Sequence, residues 1–124
     1  MISAHPYSFC RKKFSLGKNR NYQHVYKKGK SFPSRDLVLI FMQSKDLRAG
    51  FSISSKVGNA VVRNRLKRFF KEDFRRLKPD IVSGRYIFVA RTSAAGKTHA
   101  ELTDEITKVL LRAKLYRKEA GNDA

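Results

Sequence analysis

Apolar and polar positions follow two different periods along the chain, and each period predicts one type of element. The apolar-rich segments 37–42 and 85–91 are typical of strands that are covered on both faces. In the segment 49–54, Phe51 and Ile53 share one face, and small residues occupy the other face, namely Gly50, Ser52 and Ser54. That second face predicts a hollow in the sheet surface. We expect a hairpin turn around Asp46 to pair this segment with the first one.

The first helical repeat begins at Asn19, a suitable N-cap residue, and stops before Gly29. Its ring-bearing and apolar positions recur at i, i+3 and i+4, and they are Tyr22, Val25 and Tyr26. The turn-forming cluster 31–34 comes next and leaves room for a short edge strand before Pro33. The N-terminal third of the chain therefore predicts a short helix followed by an edge strand.

Two further helices are predicted downstream of the strands. The first covers 60–77, and Pro79 ends it. The last helix begins at a capping box formed by Thr98 and Glu101. Its apolar face consists of Leu102, Ile106, Val109, Leu110 and Ala113. The order helix, two or three strands, helix, strand, helix predicts an α+β sandwich in which one sheet packs against helices.

The length of 124 residues suits one domain of about 100–200 residues. We expect a single domain over 1–124, with a flexible basic arm at 1–15 and a frayed tail at 119–124. Cys10 is the only cysteine, so it cannot form an intramolecular disulfide. No apolar run approaches the roughly 20 residues that span a bilayer. A cytoplasmic protein without a membrane segment is the expectation.

Charge narrows the class of partner. The 28 lysines and arginines exceed the 10 acidic residues and give a net charge of +18. Residues 1–71 contain 17 of the basic residues and only the carboxylates Asp36 and Asp46, so this part carries +15. Such a potential attracts polyanions. General basic solubility and a membrane-surface patch are the alternatives, but no basic amphipathic segment has an unused apolar face, so nucleic acid is favoured.

The helix at 60–77 separates its apolar and cationic residues. At 100° per residue, one arc carries Val62, Leu66, Phe69, Phe70, Phe74 and Leu77. The opposite arc carries Asn64, Lys67, Arg68, Lys71 and Arg75. The first acid is Glu72, whereas an ordinary solvated face interleaves glutamate with lysine. A docking face for nucleic acid is favoured over a plain solvated face, although a DNA groove would suit it as well as RNA. Asp73 falls in the apolar arc, where Arg65 or Arg76 could pair with it.

Tyr22 and Tyr26 lie one turn apart among cations, and two interpretations stay open. They are either core contacts or a platform on which unpaired bases stack, for about 1–3 kcal/mol per base. His5, His24 and His99 are isolated in sequence, and no spacing indicates a metal cage or an acid–base pair. We therefore predict no catalytic residue and no metal ligand, and we expect chemistry to lie in a partner.

Three segments in order resemble the bacterial ribonuclease P protein component. The most specific is 56–74, read as K-V-G-N-A-V-V-R-N-R-L-K-R-F-F-K-E-D-F. The Asn-x-x-Tyr-x-x-Val-Tyr-x-x-Gly pattern at 19–29 and the segment 86–91 support it. The resemblance spans 16–118, most of the chain.

That resemblance implies a fold of order α-β-β-β-α-β-α with a left-handed βαβ crossover, similar to the second domain of a ribosomal protein. It implies the protein subunit of a ribonucleoprotein endoribonuclease that removes the 5′ leader from precursor tRNA. The partners would be the catalytic RNA and precursor tRNA, with no obligate protein partner. The RNA would carry the chemistry with its own Mg²⁺, and the protein residues alone would bind no cofactor.

The resemblance also assigns residues. The RNA-subunit contacts would be Lys56, Arg63, Asn64, Arg65, Lys67, Arg68 and Lys71. The leader-binding cleft would include Tyr22, Tyr26 and Ile40, which stands where many members have a tyrosine. The alternatives are a general RNA-binding or ribosome-associated protein without a processing role, and a self-sufficient nuclease that uses His24 or the acids around Glu72.

Overall fold

A computed structural model describes residues 16–17 and 19–116 of the chain. The predicted order of elements is confirmed, while the predictions for the arm at 1–15 and the tail at 119–124 lie outside the described residues. The structure adds short 3-10 helices to the predicted order, at Lys78–Asp80 and Thr92–Gly96. The main elements are α1 (Asn19–Lys28), β1 (Lys30–Pro33), β2 (Leu37–Gln43), β3 (Arg48–Ser52), α2 (Ala60–Leu77), β4 (Gly84–Ala90) and α3 (His99–Arg112).

The four strands form one sheet in the order β1-β2-β4-β3, in which only the β3–β4 pair is parallel. The predicted hairpin between 37–42 and 49–54 is therefore wrong, because β4 lies between β2 and β3. The turn around Asp46 reverses the chain, but a reversal alone does not make two strands neighbours. β4 is apolar along both faces and so takes the central position, where helices cover both sides. The chain crosses from β3 to β4 through α2, and the left hand of this crossover stays a prediction.

Helices cover the two faces of the sheet unequally. On one face α1 packs Val25 against Ile40 of β2 and Ile87 of β4. The other face carries Leu39 and Phe88, which stand opposite each other in the β2–β4 register, and it packs against α2 and α3. Among the described residues no helix is long and apolar enough to span a bilayer. The main core thus lies beneath α2 and α3, and a smaller one lies beneath α1.

The bounds and rotation of α2 agree with the sequence prediction. Asn59 caps the helix, since its side-chain oxygen accepts a hydrogen bond from the Val62 N–H at 3.0 Å. Phe70 and Phe74 are fully buried, and the Phe70 ring lies 6.1 Å from that of Phe88. The predicted apolar arc therefore faces the sheet, and the cationic arc is left facing outward.

Buried polar groups attach α3 to the rest of the domain. The predicted capping box of Thr98 and Glu101 is present. Farther along α3, the carboxylate of Glu105 accepts hydrogen bonds from the Ser34 hydroxyl and the Asp36 N–H, both at 2.6 Å. Since Ser34 and Asp36 lie between β1 and β2, this carboxylate ties that connection to α3.

Asp73 joins α2 to α3 and is 1% exposed. Its Oδ1 accepts a hydrogen bond from the Thr103 hydroxyl at 2.9 Å and lies 3.1 Å from His99 Nε2. Of the two predicted partners, Arg76 contacts Asp73, at 3.3 Å, and Arg65 does not pair with it. Burial raises the pKa of Asp73 above its ordinary value of 3.8, against the opposing effect of the Thr103 and His99 hydrogen bonds.

The edge strand β3 is covered by the start of the described chain. The Leu16 N–H donates to the Ala49 carbonyl at 3.1 Å, and the Phe51 N–H donates to the Tyr22 hydroxyl at 3.2 Å. The Tyr22 ring lies so close to Gly50 that a β-carbon there would come within 2.5 Å of it. Tyr22 thus fills the predicted hollow at Gly50, and the edge has fewer free backbone groups.

We expect Gly50→Ala to lower the free energy of unfolding by about 1–3 kcal/mol, because the added methyl group overlaps the Tyr22 ring and forces it outward. Urea titration followed by circular dichroism measures this. Gly96→Ala is the matched control, since a β-carbon at that position meets no atom within 4 Å. Equal stabilities of the two variants would contradict the close packing of Tyr22 on β3.

Asp73→Asn should change how stability depends on pH. Because the folded state raises the pKa of Asp73, it holds that proton more tightly than the unfolded chain. The contribution of Asp73 is therefore largest below its unfolded pKa and is lost as pH rises through the folded pKa. The unfolding free energy of the variant should thus fall less than that of the wild type as pH rises above about 4. Urea midpoints measured across this pH range test the prediction, and Asp104→Asn is the control for the loss of one negative charge. Parallel curves of unfolding free energy against pH for Asp73→Asn and the wild type would refute it.

Candidate nucleic-acid interface

The outward arc of α2 is a cationic surface with a shallow depression of about 290 Å³. The predicted residues Asn64, Lys67, Arg68 and Lys71 line it. Asn64, Lys67 and Arg68 are exposed, so their donors are available to a partner. The arrangement combines a guanidinium fork, two ammonium groups and an amide, which suits phosphates and base edges on a folded nucleic acid.

Two predicted contact residues serve the fold as well. The Arg63 Nε donates to the Gly58 carbonyl at 3.1 Å, which closes the turn before α2. An Arg65 terminal nitrogen donates to the Ala95 carbonyl at 2.5 Å and so ties α2 to the 3-10 helix Thr92–Gly96. Each guanidinium has further N–H groups. These two arginines are therefore held in place, whereas Lys67 and Arg68 extend into solvent.

Two more residues border this surface. Lys56, a predicted contact, is exposed in the turn 55–57 just before α2. Val61 was not predicted as a site residue and is 76% exposed in the first turn of α2. It lies three and seven residues before Asn64 and Arg68, so the three share one stripe of the helix. An exposed valine beside an amide and a guanidinium offers apolar contact to a base or sugar.

The other predicted surface is a depression of about 440 Å³ between α1 and β3, lined by Gly17, Tyr22, Tyr26, Phe51 and Ser52. The two tyrosines differ in their roles. Burial raises the pKa of Tyr22, partly offset by the hydrogen bond from the Phe51 N–H. The side chain of Tyr26 is freer, at 39% exposed. Tyr22 is thus both a wall and a core residue, and Tyr26 offers the accessible ring.

Ile40 is placed differently from the two tyrosines. It is 9% exposed and packs with Leu16 and Val25 beneath α1. Its side chain supports the helix from below and does not line the depression. A bound nucleic-acid strand could therefore reach the Ile40 side chain only by going around α1.

His24 and the acids around Glu72, the residues proposed for the nuclease alternative, do not meet. His24 is exposed on α1, whereas His99 and Glu72 lie on the opposite side of the sheet. The His99 ring stacks on Phe69 with centroids 4.6 Å apart, and its nitrogens face Glu72 at 3.6 Å and Asp73 at 3.1 Å. This cluster joins α2 to α3. Within 16–17 and 19–116, no three His, Cys, Asp or Glu side chains come together in a way that could hold a metal ion.

Sequence reasoning missed part of the interface. Gly17, Phe51 and Ser52 complete the depression around the tyrosines, and the small-residue pattern at 49–54 was the signal that could have found Ser52. The contact from Arg65 to Ala95 joins residues 30 positions apart and leaves no local pattern. The other predicted residues, apart from Ile40, lie on or beside two surfaces: one offers exposed cations, and the other offers rings in a groove. Their contacts with RNA stay predictions.

Comparisons of sequence place the chain among known proteins. A sequence model of the family described as Ribonuclease P matches residues 10–114. The ribonuclease P protein component of an Exiguobacterium species is 36% identical over 111 residues, which cover 88% of this chain and 97% of the relative. That of Clostridium kluyveri is 41% identical over 110 residues, which cover 84% and 97%. The similarity therefore extends over almost the full length of these relatives.

Solved structures agree with the sequence comparisons. The RNase P protein of Staphylococcus aureus superposes with a TM-score of 0.80 at 35% identity, covering 85% of this chain and 99% of that one. The RNase P protein of Thermotoga maritima superposes with a TM-score of 0.71 at 26% identity, covering 82% and 97%. Matches to the family model, to relatives above 30% identity and to the fold concur, and the chain therefore belongs to the ribonuclease P protein family.

Proposed function

We propose that this chain is the protein subunit of a ribonuclease P particle, in which it binds the catalytic RNA through α2 and holds the 5′ leader of precursor tRNA beside Tyr26. The observation that carries the proposal is the pair of unlike surfaces on one small domain. Lys67 and Arg68 present charge and hydrogen-bond donors at exposed positions. The depression at Tyr22 and Tyr26 presents rings, which suit unpaired bases.

The proposed division of labour assigns the hydrolysis to the RNA subunit. The described residues do not fit a protein-held metal, because they gather no group of three suitable ligands. We therefore assign the Mg²⁺ requirement to the RNA-containing particle and derive no step from a metal bound by this chain. The protein's part is to bind and orient the substrate, which lowers the entropic cost of bringing the scissile bond to the catalytic RNA. A cytoplasmic location belongs to this proposal, on the ground that the chain has one cysteine and so cannot form an intramolecular disulfide.

Each surface has a distinct task in this scheme. The α2 surface contacts the folded RNA subunit, where arginine forks bridge phosphate oxygens and lysines add point charge. Arg63 and Arg65 flank the N-terminal part of that surface on opposite sides and are held there by their hydrogen bonds to backbone carbonyls. The α1–β3 depression accepts a single strand, on whose bases the Tyr26 ring stacks. Discrimination of precursor from mature tRNA follows, because only the precursor carries the leader.

Reconstitution distinguishes this function from its alternatives. The protein should raise cleavage of precursor tRNA by the cognate RNA subunit at low Mg²⁺, with little change in affinity for mature tRNA. A general RNA-binding protein would show no preference for leader-bearing tRNA. A self-sufficient nuclease would cleave after exhaustive removal of RNA. Equal stimulation by an unrelated basic peptide would refute the proposal.

The variant Lys67→Ala with Arg68→Ala should weaken binding to the RNA subunit and make it less sensitive to salt. If each side chain neutralises one phosphate, the slope of log affinity against log salt should become shallower by about 1.8. Filter binding between about 50 and 200 mM salt measures the slope. Phosphate contacts change affinity strongly over this range of salt concentration. Lys45→Ala with Lys108→Ala removes the same charge from exposed positions outside this surface and should leave the slope near the wild-type value.

The variant Tyr26→Ala should weaken binding of leader-bearing precursor by about 1–3 kcal/mol, the value of one stacked base, and leave mature tRNA affinity unaffected. Tyr22→Phe is the matched variant, because it keeps the ring over Gly50 and removes the hydroxyl that accepts from Phe51. It should lower the unfolding free energy by about 0.5–1.5 kcal/mol with little change in leader affinity. If Tyr26→Ala unfolds the protein by circular dichroism, Tyr26 is a core residue and the stacking role fails.

A further inference from the structure

The outer face of α1 forms a second depression, of which the proposed contacts with the RNA subunit and the leader use only Tyr26. It has a volume of about 450 Å³. Its lining residues stand at i, i+3, i+4 and i+7, so they form one stripe along the helix. All of them are exposed. They are Arg20, Gln23, His24 and Lys27, with Tyr26 at the border.

Tyr26 lines both this depression and the one between α1 and β3. At 100° per residue, Tyr26 projects between Tyr22, which faces the sheet, and Gln23, which faces outward. Its 39% exposed ring therefore separates two adjoining grooves. A strand that leaves the first groove over this ring enters the second without leaving the protein surface.

The charges of this face are available to a ligand. The helix Asn19–Lys28 contains no aspartate or glutamate. Across the described part of the chain, no carboxylate lies within 4.0 Å of the charged groups of Arg20 or Lys27. An ordinary solvated helix face interleaves acidic with basic residues, whereas this face has basic residues and no acidic ones. The combination of a guanidinium, an ammonium group, an amide and a ring suits single-stranded nucleic acid.

We propose that the outer face of α1 is a second subsite for single-stranded RNA, which binds leader nucleotides beyond those held between α1 and β3. Arg20 and Lys27 contact phosphates, the Gln23 amide donates to and accepts from a base edge, and Tyr26 stacks between the two sites. This inference rests on the proposed leader-binding function. It makes affinity depend on leader length in two stages, one for each groove.

The test uses the full chain assembled with its RNA subunit and precursor tRNAs whose leaders grow one nucleotide at a time. Wild-type affinity should rise, level off as the first groove fills, and rise again as the strand reaches the second. Arg20→Ala with Lys27→Ala should abolish the second rise, a loss of about tenfold at 0.15 M salt for two phosphate contacts on a single strand. The first rise should persist.

The control Lys45→Ala with Lys108→Ala has the same net charge and should show both rises. A wild-type curve with a single plateau would overturn the second subsite while leaving the leader-binding function intact. Loss of both rises in the Arg20 and Lys27 variant, or an equal loss in the control, would also overturn it. Absence of any dependence on the leader would instead refute the proposed function itself.

Discussion

The packing of α2 against the sheet is the constraint on which the rest of the molecule depends. Phe70 and Phe74 are fully buried, and each contributes about 1.5–3 kcal/mol by leaving water. Like-charge neighbours on the outer side, such as Lys67 and Lys71, cost about 0.2–0.5 kcal/mol per pair. Aromatic burial outweighs that repulsion, so a helix with an unneutralised cationic side remains folded. The same packing sets its rotation and therefore the direction in which the cations point.

The surface between α1 and β3 depends on one side chain, that of Tyr22, which makes several contacts at once. Tyr22 covers Gly50 and accepts the free N–H of an edge strand, so one side chain closes the smaller core and forms a wall of the groove. Tyr22 thereby carries the packing on this helix, and the binding role is the one proposed for Tyr26. Tyr26 can present its ring to a ligand because its neighbour one turn earlier already carries the packing. Arg65 repeats this division on α2, where it is attached to Ala95 and Arg68 is not.

Local signals in the sequence were enough to predict α2 completely. Asn59 and Pro79 mark its ends, and its apolar arc follows from spacing alone. Strand pairing was not predictable in the same way, because β2 and β3 each read as a strand whether or not they touch. The partners of Asp73 were only partly predictable from the sequence. Arg76 is near Asp73 in sequence, but His99 and Thr103 approach Asp73 only after α3 docks. Side-chain contacts over long separations require the tertiary fold, whereas periodicity and caps do not.

The position of β4 between β2 and β3 determines how much of the chain must be synthesised before the sheet can form. During synthesis β2 and β3 both leave the ribosome before β4, the strand that pairs with each of them. Until Gly84–Ala90 emerges, β3 has no partner in the sheet, and the aromatic side of α2 lacks the rings of Tyr86 and Phe88 against which it packs. The nascent chain at that stage is a polycation whose charges lack a fixed geometry. The fixed geometry of the proposed RNA-binding surface is therefore a property of a chain that has reached β4, and any earlier contact with nucleic acid would depend on charge alone.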